Sequence, residues 1–115
     1  MLLDAGLSRI KDLIYADVDY GRAGTNDSPA SVGDTSVKTP VTDTNVALTD
    51  KSKSSDSFVV NHSISVSLGV GSNLAEYETR NNSSGVSYNR LVSTPLAKDS
   101  TTQLDQIHTF VIERL

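Results

Sequence analysis

The sequence has no cysteine, and Phe58, Phe110 and four tyrosines supply nearly all of its aromatic bulk. Without cysteine, neither a disulfide framework nor a thiolate metal site can form. No apolar run approaches the roughly 20 residues of a membrane span. The ten lysines and arginines are scattered, the net charge is -4 and the pI is about 4.9. A nucleic-acid binder needs clustered cations to displace counterions from phosphates, and a membrane-surface binder needs a polybasic run. Neither pattern occurs, so the expectation is no nucleic-acid and no membrane partner. The opening "MLLDAGLSRIKDLI" places Asp4 inside its apolar portion, which predicts a chain made without a secretion signal. With 115 residues and 37% hydrophobic content, the chain reads as one domain, 1–115, with a thin core. Such chains gain stability by associating with copies of themselves.

Against these absences, the periodic segments are clear. Leu3, Leu7, Ile10 and Ile14 recur at three- and four-residue spacing, with Leu13 widening the stripe. This predicts an amphipathic helix over residues 3–14, within an N-terminal segment 1–16 that packs on a sheet through that stripe. Gly6 weakens the helix by about 1 kcal/mol relative to alanine. A short strand is predicted from Tyr15 to Ala23. The stretch "GRAGTNDSPASVGDTSVKTPV" follows, in which Pro29 and Pro40 forbid regular helix and cannot donate to a ladder. "NVAL" at 45–48 reads as a short apolar element and "TDKSKSSDS" as a polar turn.

The strongest signal is "SFVVNHSISVSLG". Phe58, Val60, His62, Ile64, Val66 and Leu68 fall on one face, and Ser57, Asn61, Ser63, Ser65 and Ser67 on the other. Period-two alternation over this length predicts a long antiparallel strand with one buried face. Its serine face lies either in water or against a polar partner. "LAEYETR" and "VSYNRLVS" flank the turn "NNSSG" as a hairpin, and a last strand is predicted from about Gln103 to Arg114. The sum is mainly β. It predicts an antiparallel β-sandwich or small barrel of about six strands over residues 17–115, carrying one N-terminal helix.

No chemistry emerges from the residues. The two histidines, His62 and His108, sit in strand patterns, and His62 lies on an apolar face, which predicts a semi-buried structural role. Metalloprotease, nucleophile-elbow and phosphate-loop motifs are missing, and "GVGSN" lacks a strand–helix context. Asp27, Asp34, Asp43 and Asp50 cluster in loops but without calcium-loop spacing, so surface solubility explains them better. Glu76 and Glu78 share one strand face, whereas glycosidase carboxylates come from different elements across a cleft. The Asn-X-Ser sequons at Asn26, Asn61, Asn81 and Asn82 arise readily in a chain so rich in Ser and Asn. The expectation is no catalytic residue, no cofactor and no bound metal.

The order of segments resembles small structural proteins of tailed bacteriophages and related tailed viruses. That resemblance rests on the helix "DAGLSRIKDLI", residues 4–14, and then on "GRAGTNDSPASVGDTSV" with Gly24, Thr25, Pro29, Asp34 and Thr35. It continues in "AEYETRNNSSGVSYNRLVSTPLAKDS" through Glu76, Asn81, Gly85, Arg90, Pro95 and Lys98. It thus covers nearly the whole chain. It implies a non-enzymatic virion component, made in the host cytoplasm and assembled as a symmetric oligomer. Tail, collar, baseplate and capsid surface all remain open. Its partners would be copies of itself and other virion proteins.

Under that reading the expected interface groups are Leu3, Leu7 and Ile10 on the helix, Pro29 in the loop, and Phe110 and Ile112 in the last strand. The loop itself is either a shaped docking surface or a passive crossover. Gly24 and Gly33 would permit positive φ, and Asp34 or Thr35 would bond nearby backbone N–H groups. The competing reading is an adhesion or glycan-binding sandwich. There Tyr77 and Tyr88 would face each other across the hairpin, with Arg90 beside them.

Overall fold

A computed structural model describes residues 1 and 3–113. The elements run α1 (Asp4–Asp17), β1 (Tyr20–Gly24), a 3-10 turn (Thr42–Thr44), β2 (Val46–Ala47), β3 (Asp50–Lys53) and β4 (Ser57–Ile64). Then come β5 (Asn73–Arg80), β6 (Ser87–Ala97) and β7 (Leu104–Val111). The fold is mainly β, as expected, with seven strands in two antiparallel sheets ordered β2-β1-β5-β6 and β3-β4-β7. No ladder joins the β6 and β7 edges among the described residues, so the two sheets form an open sandwich. The last strand ends at Val111 rather than Arg114, and Arg114 lies outside the described residues.

The helix differs from expectation in length and in rotation. It continues to Asp17, so Tyr15 is helical where a strand was predicted. The Val18 N–H still donates to Ile14 O at 3.0 Å, and the Lys51 ammonium donates to Tyr15 O and, at 2.8 Å, to Val18 O. A cation on the orphan carbonyls of a helix C-terminus favours that end point. Only part of the predicted stripe turns inward: Leu7 and Ile14 are half-buried. Leu3 is 68% exposed, Leu13 53% and Ile10 38%, while the one buried residue of α1 is Lys11. Its ammonium donates to Ser54 O at 2.6 Å and Ser55 O at 3.1 Å in the β3–β4 turn. That tie, together with the Tyr15 ring edge-on to Phe58 at 5.6 Å, turns the Lys11–Tyr15 side of the helix inward. Leu3, Ile10 and Leu13 are left outward.

β4 shows the predicted alternation, with Phe58, Val60, His62 and Ile64 buried and their neighbours half-buried. It stops at Ile64, short of the expected length. Ser65 O accepts from Leu68 N–H at 3.1 Å in a turn, and Gly69 and Gly71 take φ of 66° and 85°. The predicted polar turn "TDKSKSSDS" contains a strand, β3, paired to β4 from Asp50↔Asn61 to Lys53↔Phe58. It carries no apolar alternation because it lies at a sheet edge and three of its four residues are exposed. β6 runs past Pro95. The register to β5 slips between Leu74↔Leu96 and Glu76↔Val92, so the proline falls in an irregular stretch of an edge strand, where its missing N–H costs little.

Between the sheets lie Ala23, Phe58, Val60, Ile64, Leu74, Ala75 and Tyr77. Phe110 stacks on Phe58 at 4.7 Å, extending the aromatic cluster. Gly21 faces His62 so closely that a Cβ there would overlap the imidazole ring. Glycine at this position is a packing requirement.

Candidate functional site

β5 is buried on both faces, from Leu74 to Thr79. Tyr77 and Thr79 point between the sheets, and Glu76 and Glu78 point the other way, under the loop of residues 25–40. Both carboxylates are fully buried. A buried carboxylate is costly unless its lone pairs are filled and its charge is matched. Here both conditions are met.

Glu76 accepts from the backbone N–H groups of Lys38 at 2.6 Å, Thr39 at 2.9 Å and Asn26 at 2.9 Å, and from Arg90 Nε at 2.9 Å. Glu78 accepts from Val37 N–H at 2.8 Å, Ser87 Oγ at 2.7 Å and Arg22 Nε at 2.7 Å. The Arg90 guanidinium also donates to Asp34 at 3.1 Å and to Asn26 O at 3.3 Å. Burial pushes the Glu76 carboxyl up, but Arg90 and the three backbone donors outweigh it and hold its pKa below the ordinary value. At Asp34 the Ser31 N–H leads, and with Lys38 and Arg90 it lowers that carboxyl as well. The long irregular loop is therefore clasped at both ends onto the sheet by two buried carboxylates.

Gly24 and Gly33 do not adopt the positive φ expected of them; that conformation occurs at Gly69, Gly71 and Gly85. Gly24 serves a different purpose, since a Cβ there would press on the Glu76 carboxylate and on Thr39 O. The expected Asp34 contact is present, with Ser31 N–H donating to its carboxylate at 3.0 Å. Between the outer bend of the loop and the start of β6 opens a cleft of about 350 Å³, lined among others by Ser31, Thr35, Tyr88 and Arg90.

The two histidines form a second buried polar group. His62 Nε2 bonds Thr44 O at 2.9 Å and must carry the proton, which leaves Nδ1 as an unpartnered acceptor. Asn89 uses its oxygen on Thr79, so its Nδ2 donates to His108 Nδ1 at 2.9 Å and the unpartnered His108 Nε2 carries the hydrogen. Burial lowers the pKa of both rings, to about 4 for His108, where the neighbouring His62 adds to the effect. His62 was predicted to be semi-buried with its ring satisfied; it is fully buried, with Nε2 paired and Nδ1 not.

The residues of the glycan-binding reading do not come together. Tyr77 is buried in the core and pairs with Leu91, not with Tyr88. Arg90 is buried in the clasp. Tyr88 is half-buried at the second register slip of β6, and its hydroxyl donates to Asp17 at the end of α1. That bond, before burial, raises the Tyr88 pKa to about 12. The hairpin that was predicted to present a platform presents instead a core residue, a clasp residue and a helix tie.

Of the expected interface residues, Leu3, Ile10 and Pro29 are exposed. Leu7 and Ile112, both half-buried, line one cleft of about 340 Å³ between the helix start and the end of β7. Phe110 is half-buried as well, with its ring stacked on Phe58. The loop acids are dispersed: Asp34 belongs to the clasp, and Asp43 accepts from Gly69 N–H at 3.0 Å. No group of three or more metal-ligating side chains forms among the described residues. Sequence reasoning missed the clasp. Its trace is two glutamates at i, i+2 on a strand, with Arg22 and Arg90 both opposite Glu78 in register. Compared with known protein families, characterised proteins and solved structures, the chain finds no match.

Proposed function

We propose that the protein is a non-enzymatic structural subunit of a tailed-virus particle, made in the host cytoplasm and assembled as a symmetric oligomer with copies of itself and other virion proteins. The resemblance in element order supplies the virion part of this reading. The observation that carries the assembly part is an inversion of the usual partition. Lys11, Glu76, Glu78, Arg90 and Lys98 are buried, while Leu3, Ile10, Leu13, Ile107 and Val111 stand in the open. Exposed apolar side chains recurring along one helix and along one strand of a small chain mark surfaces meant to be covered. The clasp contributes by making loop 25–40 a fixed shape rather than a mobile strand of chain.

The test is the solution mass of the full chain by light scattering, beside a Leu3→Asp, Ile10→Asp, Leu13→Asp variant. A defined oligomer is expected, with the variant lighter and its melting temperature little changed. A monomer at every concentration would remove self-assembly from the reading.

A further inference from the structure

A sheet edge presents unpaired N–H and C=O groups, and soluble proteins blunt such edges by shortness, charge, proline, bulges or cover. The four edges of this sandwich differ in that respect. β2 is two residues long. β3 lies against α1: the Tyr15 hydroxyl donates to Lys51 O at 3.4 Å, the Lys51 ammonium reaches back to the helix carbonyls, and Lys53 meets Asp12 at 3.4 Å. β6 carries two register slips and Pro95.

β7 has none of these. It pairs with β4 without a slip over Leu104–Val111 and holds no proline, glycine or lysine. Its one carboxylate is Asp105, and on the face away from the core Ile107 is 65% exposed and Val111 52%. Among the described residues its other side has no strand partner.

We infer that β7 pairs antiparallel with β7 of a second copy of this chain, about a twofold axis through Ile107, and joins the two β3-β4-β7 sheets into one. The inference rests on the proposed self-assembly and names its contact. The register follows from the side chains. Opposite residues must share a face, so only axes through a residue are allowed, not axes between residues. An axis at Asp105 would set that carboxylate against its copy. An axis at Gln106 would set Asp105 against Ile107, one at His108 would set Asp105 against Val111, and one at Thr109 would pair only Ile107–Val111 and turn Asp105 towards Glu113. The axis at Ile107 places Ile107 on Ile107, half-buried Leu104 opposite half-buried Phe110, and Asp105 opposite the Thr109 hydroxyl. A homodimer of this kind is isologous and closes on itself.

The test is sedimentation equilibrium of the full chain over a range of concentrations. Thr109 and Ile107 are exposed, so substitution there leaves the fold intact, and thermal melting of the dilute protein verifies this. Thr109→Asp sets like charges opposite each other twice per dimer and is expected to weaken association about tenfold. Thr109→Lys sets opposite charges together and is expected to strengthen it by a similar factor, with the gain vanishing at high salt. The pair Asp105→Lys, Thr109→Asp again sets opposite charges together and is expected to associate about as tightly as Thr109→Lys, and Ile107→Lys to weaken association. If Thr109→Asp and Thr109→Lys act alike, the inferred register is wrong. If an oligomer persists through all of these but falls apart in the helix variant, the β7 contact is wrong and the assembly reading stands. If the wild type never associates, both are wrong.

Discussion

On the outer face of the β2-β1-β5-β6 sheet, Glu76, Glu78 and Arg90 lie sealed beneath loop 25–40. On the outer face of the β3-β4-β7 sheet, Ser52, Asp105, Ile107 and Thr109 are exposed, with Asn61 and Ser63 half-buried beside them. The first face uses full charges and needs a cover, because a carboxylate out of water must find several donors. The polar groups of the second, hydroxyls and amides with the Asp105 carboxylate, stay within reach of water and need no cover. The loop, in turn, is ordered because four of its N–H groups terminate on the two carboxylates. Charge and loop hold each other in place, so loss of either should expose both. The serine face has no comparable dependency.

The sharpest way to break this contrast is Glu76→Ala. It strips three loop N–H groups and Arg90 of their acceptor and leaves a buried guanidinium half-paired. The expected loss is about 3 to 5 kcal/mol by urea denaturation. On the opposite face, Ser52→Ala should stay within about 0.5 kcal/mol. Comparable losses from the two would erase the distinction.

Acid should act next in size. His108 and His62 have folded pKa values depressed below the ordinary 6.5, so the unfolded chain binds protons first as pH falls. Stability therefore declines from about pH 6.5 down to about pH 4, by roughly 3 kcal/mol for His108 alone. Glu76 is depressed below its ordinary 4.5, so its contribution, present above that value, is lost as pH falls further. Urea midpoints at pH 7, 5 and 3.5 should fall at each step. A flat profile between pH 7 and 5 would mean the histidines are not buried as described.

Within the loop, two glycines offer a finer comparison. Gly24→Ala pushes a methyl onto the Glu76 carboxylate and Thr39 O, at an expected cost of about 1 to 3 kcal/mol. Gly33→Ala has only Ser31 Oγ nearby, at 3.7 Å, and no positive φ to relax. It should be neutral or stabilising by up to about 1 kcal/mol through the unfolded chain. Equal melting shifts for the two would show that the loop is not clasped where Gly24 meets Glu76.

Several elements could be read from residues alone. The alternation of Phe58, Val60, His62 and Ile64 announced β4 and its buried face, because nothing else in a one-dimensional pattern has period two. The hairpin turn at "NNSSG" was legible for the same local reason. The polar "DKSK" was not legible as strand, since an edge covered by a helix gives no apolar repeat. Nor was the clasp, because Glu76 and Glu78 look in sequence like any exposed pair on a strand face.

The sequence by itself determined the mainly β class, the N-terminal helix and the inward face of β4, all consequences of short-range periodicity. Only the tertiary structure decided which way the helix turned. Lys11 and Tyr15 found partners at Ser54 and Phe58, and Leu3, Ile10 and Leu13 of the predicted stripe were left outward. It also decided that a loop written in glycine, threonine and aspartate would be fixed, by bringing Asn26, Val37, Lys38 and Thr39 onto carboxylates 37 to 50 residues away. Burial of a charge depends on donors that arrive from elsewhere in the chain, and no local pattern encodes their arrival.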